Sequence, residues 1–290
     1  MRPLDIFSAI MVAVFWGGNF VAAKYGVAYF PPFLLTAIRF IIASLILIPL
    51  VPRPTFAQMK QIAVLSSMST LHFSLIFVAL YLGLDIASCA LIGQLGVPFA
   101  CILGAIFLQD RIGVWRVSGI VIAFLGTAIV AGTPHIFEHL PGFYAALAST
   151  FTWGVANVLI KRITNINSMS LLAWMGLFTV PMLLALSLVF EPNWPAFTDV
   201  PLTAVLGLGY TAIFSTLVAY GLWYYLLGKY TVSQVSPYSL LTPIFGIAFG
   251  QMFFTEELTA QVIIGGIITI VGVTVIVIRR PKTIPLGEAT

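Results

Sequence analysis

The chain has 290 residues, 60% of them apolar and only 8% charged, with a formal net charge of +4. A soluble domain carries about 25% charged residues, so there is too little charge to cover a water-facing surface, and a soluble reading is excluded. Nor is the positive balance a nucleic-acid footprint: Lys and Arg stand at the ends of apolar runs, with no basic cluster interleaved with aromatics, which is a membrane-protein pattern.

Roughly 20 residues at 1.5 Å rise cross a hydrocarbon core of about 30 Å. Apolar runs of that order predict ten transmembrane helices, over 6–24, 33–51, 61–83, 86–108, 112–131, 142–162, 168–190, 201–227, 232–254 and 258–278. The first run continues to Lys24 without an obvious cleavage site and is read as a helix, not a removable signal. The connections are short and carry Pro31-Pro32, Pro52-Arg53-Pro54, Pro141-Gly142 and Pro192 to Pro195. Cys89 and Cys101 share one apolar run, where they read as small hydrophobes rather than a loop disulfide or metal ligands.

Charge fixes the orientation. With the N-terminus inside, eleven of the thirteen basic residues fall at cytoplasmic ends: Arg2, Arg53, Lys60, Arg111, Arg116, Lys161, Arg162, Lys229, Arg279, Arg280 and Lys282. The opposite loops hold Asp85, Glu138, Glu191, Asp199, Glu256 and Glu257, with Lys24 the one basic exception. This bias requires an even number of spans and places both termini in the cytoplasm.

A long-period repeat divides the chain. Trp16-Gly17, followed by Asn19 and Lys24, parallels Trp153-Gly154, followed by Asn157 and Lys161. Asp110-Arg111 is followed by Gly119 and Gly126, and Glu256-Glu257 by Gly265 and Gly272, at offsets of nine and sixteen from the acid in both cases. Pro98 precedes Asp110 by twelve residues and Pro243 precedes Glu256 by thirteen. The reading is two five-helix repeats, 1–134 and 135–280, with a cytoplasmic tail over 281–290. Five is odd, so the second repeat enters from the opposite side, an architecture of secondary transporters that bind substrate near the midplane.

On these motifs the chain resembles the drug/metabolite transporter superfamily in its ten-helix EamA-type branch, over nearly its whole length. Within that branch it is most similar to YddG-like bacterial inner-membrane exporters of amino acids and related metabolites. It departs from the family at Asp110-Arg111 and Glu256-Glu257, where Gly-Glu-Arg is common. These four residues are therefore taken only to mark the start of the last helix in each repeat.

The resemblance implies a central cavity walled by spans 1, 3, 6, 8 and 9. The aromatics Trp16, Tyr81, Trp153, Tyr220, Trp223, Tyr224 and Tyr238 fall on those spans and would suit an apolar amino acid, although an interfacial belt also uses Trp and Tyr. Trp115, Trp174 and Trp194 are assigned to the belt or loops. Asn19, Gln94 and Asn157 are amide candidates for the site, whereas Gln251 is expected to reach the interface. His72 is the one histidine at membrane depth, either lining the cavity, where proton coupling is an option, or bonding to a neighbouring helix. Pro98 and Pro243 are expected as mid-helix hinges, or else as static kinks. Lys24 is read as an anchor, a carboxylate attractor or a partner of Asp85; Arg39 as pairing with an acid or a helix carbonyl. The four repeated glycines are assigned to close packing.

The expected function is export of amino acids and related small metabolites across a bacterial inner membrane by alternating access, as transporter and not enzyme. Export of other amphiphilic compounds (drugs, bases or nucleotide-linked metabolites) is the alternative. A non-transport intramembrane receptor or enzyme ranks below both, since no paired catalytic carboxylates and no Ser/His/Asp set occur at membrane depth. No cofactor, metal or nucleic-acid partner is expected; the partners are substrate and bilayer.

Overall fold

The computed structural model describes residues 1–109, 112–230 and 232–278, and these form helices without any strand. Asp110, Arg111, Arg279, Arg280, Lys282 and the 281–290 tail lie outside the described residues. The first part of the chain comprises α1 (Pro3–Val27), α2 (Pro32–Leu47), α3 (Phe56–Tyr81), α4 (Ile86–Gly93), α5 (Gly96–Leu108) and α6 (Val114–Ala131). A short α7 (Pro134–Glu138) leads to α8 (Leu140–Arg162) and α9 (Ser168–Phe190). Then come α10 (Leu202–Tyr210), a π-helical segment (Thr211–Val218), α11 (Ala219–Lys229), α12 (Val232–Ser239), α13 (Thr242–Phe254) and α14 (Ala260–Ile278).

Among the described residues nine helices are long and apolar enough to cross a membrane. The chain is an all-α polytopic membrane protein. The expected run over 232–254 is divided between α12 and α13, and the run over 86–108 is likewise interrupted between α4 and α5. Both breaks are made the same way. Gln94 and Leu95 donate their N–H groups to Leu91 and Ile92, and Leu240 and Leu241 donate to Pro237 and Tyr238, three residues back in each case. Pro98 and Pro243, expected in mid-helix, instead occupy the first turn of α5 and α13. A first-turn residue has no intrahelical acceptor to lose. Gln94, Leu95 and Leu241 keep right-handed helical dihedrals, so each proline lies just after a tightened turn of a path that stays helical.

Many polar side chains are satisfied by the backbone of their own helix, as hydrocarbon favours. Along α3, Ser66, Thr70 and Ser74 donate to the carbonyls of Ile62, Ser66 and Thr70, one turn back. The N-terminus of α3 carries a capping box between Thr55 and Gln58. The start of α2 is capped from a distance: Glu191 accepts from the N–H groups of Phe33 at 2.7 Å and Leu34 at 3.0 Å.

The outer surface is apolar, with Val121 and Leu125 of α6 and Ile264 and Ile267 of α14 exposed. The opposite faces of these two helices meet backbone to backbone. A Cβ on Gly119 would lie 2.7 Å from the Gly272 carbonyl oxygen, and one on Gly126 would lie 2.6 Å from that of Gly265. Thr127 and Thr269 bring their hydroxyls within 3.4 Å across the same contact. The repeated glycines are where two helices touch.

Candidate functional site

The two W-G pairs mark two helix crossings. A Cβ on Gly17 would lie 2.7 Å from Phe245 Cβ and 2.9 Å from the Gly246 nitrogen; one on Gly154 would lie 2.9 Å from Phe99 Cβ and 3.1 Å from the Ala100 nitrogen. Thus α1 crosses α13 just past Pro243, and α8 crosses α5 just past Pro98. Any side chain at either glycine would push the helices apart.

The tryptophans beside these glycines each seat an aromatic group. Trp16 packs on Tyr220 and Trp223, both at 5.3 Å between ring centroids, and Tyr220 lies 6.1 Å from Tyr224. Trp153 stacks on His72 at 4.7 Å and meets Phe73 edge-on at 6.3 Å. Trp153, Tyr220 and Tyr224 pack against one buried cluster that includes Phe40 and Phe73. These rings fill the middle of the molecule. Two recesses lie elsewhere: one of about 590 Å³ beside Pro52–Gln58 and the α8–α9 connection, the other a lateral groove of about 470 Å³ between α1, α10 and α13.

Polar groups among these rings are few. His72 Nδ1 lies 3.0 Å from both the carbonyl and the hydroxyl oxygen of Ser149, whose hydroxyl donates to the His72 carbonyl. His72 is therefore tied to α8. Asn157 Nδ2 donates to the Trp153 carbonyl at 2.8 Å. Asn19 Oδ1 is enclosed and has no partner among the described residues. Gln94 is half-buried at the α4–α5 break and makes no side-chain hydrogen bond among the described residues. Tyr238 packs with Trp223 on the cluster formed by Ala9, Leu226 and Val235.

Arg39 departs from expectation. Among the described residues it pairs with neither an acid nor a carbonyl: its Nε donates to Thr216 Oγ1 at 2.8 Å. Thr216 in turn donates to the Thr211 carbonyl, five residues back, within the π-helical segment. The guanidinium carbon sits 5.5, 5.3 and 5.6 Å from the ring centres of Phe40, Phe73 and Phe77. Sequence reasoning identified neither Thr216 nor the two phenylalanines of α3, since a π segment has no signature in composition or spacing.

Tyr81 stands apart from the ring groups. It is the last residue of α3 and is 59% exposed. Lys24 also departs from its expected partner. Its Nζ lies 2.6 Å from Glu256 Oε1, while Asp85 caps Ser88 and faces His135. Glu256 additionally accepts from the N–H groups of Ile86 and Ala87. One carboxylate thus joins α1, the start of α4 and the end of α13. At the N-terminal end of α1, Tyr230 donates to Asp5 at 2.6 Å, with Lys229 4.0 Å from the same carboxylate.

Metal-ligating side chains gather once among the described residues, at His135, Glu138 and His139, with one potential ligand atom from each within 4.8 Å of the others. His135 Nε2 already faces Asp85 at 3.3 Å, an ion-pair distance without hydrogen-bond alignment, and Glu138 is exposed.

The chain matches the EamA-like transporter family over residues 4–132 and 140–278. It is 30% identical over 281 residues to a "Probable amino-acid metabolite efflux pump" of Salmonella typhimurium, covering 94% of each chain. A protein of the same description from Escherichia coli K12 is 29% identical, over 99% of this chain and 100% of the relative. An "Uncharacterized transporter" of Archaeoglobus fulgidus is 27% identical over 93% of this chain and 97% of its own. A crystal structure with 19% sequence identity superimposes at a TM-score of 0.64, covering 95% of this chain and 96% of that one.

Proposed function

The chain belongs to the EamA-like transporter family and is a multi-pass inner-membrane efflux transporter; on that footing we propose that it exports amino acids and related small metabolites by alternating access. The two halves are 1–134 and 135–280, five spans each and inverted, with both termini cytoplasmic. The reading rests on one observation above the others: the two W-G pairs make equivalent crossings, Gly17 against Phe245 and Gly154 against Phe99, each beside a helix break.

Substrate binds among Trp16, Trp153, Tyr220, Trp223 and Tyr224, where an apolar side chain gains ring contact. Asn19 Oδ1, an acceptor without a donor, suits an ammonium group. Rocking of α13 on α1 and of α5 on α8 about the breaks at 94–95 and 240–241 opens one end while closing the other. In the described conformation the end holding Lys24 and Glu256 is clasped.

Reconstitution into liposomes with labelled phenylalanine or leucine tests the proposal. Wild type is expected to carry both, and Trp153→Phe to carry them about two- to tenfold more slowly, the equivalent of a lost stacking contact. Flux that persists after the proton gradient is collapsed assigns uniport; flux that stops assigns proton coupling. Absence of amino-acid flux in wild type refutes the proposal.

A further inference from the structure

Arg39 carries a charge that the fold does not balance. It lies in the interior of α2 and is 2% exposed. A guanidinium holds its proton under all ordinary conditions, so burial cannot neutralise it. A buried ion without a counter-ion is costly, and at membrane depth an ionisable group is retained for a pathway or a ligand. None of the described acids forms an ion pair with it. Asp5 is held by Tyr230, Asp85 by Ser88 and His135, Glu191 by the start of α2, and Glu256 by Lys24. Glu138, Asp199 and Glu257 are exposed.

The geometry around the charge is that of a half-filled fork. Nε is committed to Thr216, which fixes the plane of the guanidinium. The two Nη nitrogens have no protein acceptor among the described residues, and neither belongs to the fully enclosed unpartnered atoms. Each therefore keeps some accessible surface although the residue as a whole is buried. Two parallel N–H donors of this kind match the two oxygens of a carboxylate. Phe40, Phe73 and Phe77 keep water from the remaining faces, which strengthens any ion pair formed there. Phe73 also touches Trp153, so a ligand held by the fork has an aromatic wall beside it.

We infer that Arg39 anchors the carboxylate of the transported molecule, its Nη–H groups donating to the two carboxylate oxygens. The site takes compounds with a carboxylate next to an apolar group and discriminates against the corresponding amides and esters. The inference relies on the export reading only for which carboxylates are carried.

Ligand-induced shifts in melting temperature of the purified full chain test it, with phenylalanine, 3-phenylpropionate and acetate against phenylalaninamide and 3-phenylpropanamide. Wild type is expected to bind the acids over the amides by about ten- to a hundredfold, the range of hydrogen bonds to a charged group. Arg39→Gln is expected to abolish that preference and Arg39→Lys to keep part of it. Without ligand, Arg39→Gln and Arg39→Met are expected to melt no lower than wild type, because an unbalanced charge is removed; a lower melting point in both would mark a structural role and overturn the inference. So would failure of every carboxylate to bind in an Arg39-dependent way. Amino-acid flux with an acid-to-amide ratio unchanged in Arg39→Gln would overturn the anchor and leave export standing. Arg39-dependent carboxylate binding without amino-acid flux would leave the anchor standing and overturn amino-acid export.

Discussion

The α6–α14 contact and the ring-filled centre are built on opposite terms. At the contact, Gly119, Gly126, Gly265 and Gly272 bring backbones together, and the Thr127 and Thr269 hydroxyls donate to the carbonyls of Ala123 and Gly265. At the centre Trp16 meets Tyr220 at 5.3 Å and Trp153 meets His72 at 4.7 Å, while Asn19 Oδ1 and the Arg39 Nη atoms have no protein partners among the described residues. Without a hydrophobic force between helices in lipid, close van der Waals packing holds a bundle together. Unpartnered polar groups weaken it and persist where a ligand completes them. The contrast separates the part of the molecule that maintains the fold from the part available to substrate.

Three substitutions bear on that contrast. The largest effect is expected for Gly126→Leu, whose side chain would run into the Gly265 backbone. A loss of about 3 kcal/mol, the upper range for overpacking, should appear as lower yield and an earlier unfolding midpoint in denaturing detergent. A variant of wild-type stability would mean the contact is loose and would erase the distinction. Glu256→Gln comes next. It removes the Lys24 ion pair and weakens the cap on α4, at a cost of about 1–2 kcal/mol, which corresponds to a roughly five- to thirtyfold larger open population. Cys89, buried three residues beyond Ile86, then reports the opening: in a Cys101→Ser background its maleimide labelling should rise by that factor. Unchanged labelling would show that the clasp does not govern this end. The smallest effect is expected for Tyr81→Ala. An exposed residue away from both regions should alter stability by less than about 0.5 kcal/mol, and flux should stay within twofold of wild type; a larger loss of flux would return Tyr81 to the site.

Much of the architecture was legible because run length and charge asymmetry are dictated by the bilayer itself. The glycine offsets were legible for a similar reason: only a residue without a side chain permits the approach at Gly126. The prolines were read from the sequence, but the tightened turn just before each was not, since composition carries no signature of a turn closed three residues back. Partners distant in the chain were the least accessible. Lys24 finds Glu256, 232 residues on, rather than Asp85, and Arg39 finds a threonine 177 residues away. Tyr81 shows that an aromatic near the end of a span serves belt and cavity readings equally in the sequence.

The wide turns between Thr211 and Val218 also set the phase of everything after them. A π turn accommodates an additional residue, and each residue of a helix advances the azimuth by about 100°. Tyr220 and Trp223 consequently face Trp16 through a local insertion in the helical count rather than through their spacing alone. Removing a single residue there would leave composition and hydropathy almost untouched, yet would rotate that aromatic face away from its partners. Substrate preference among relatives could thus diverge by an indel of one, without any change in the rings themselves.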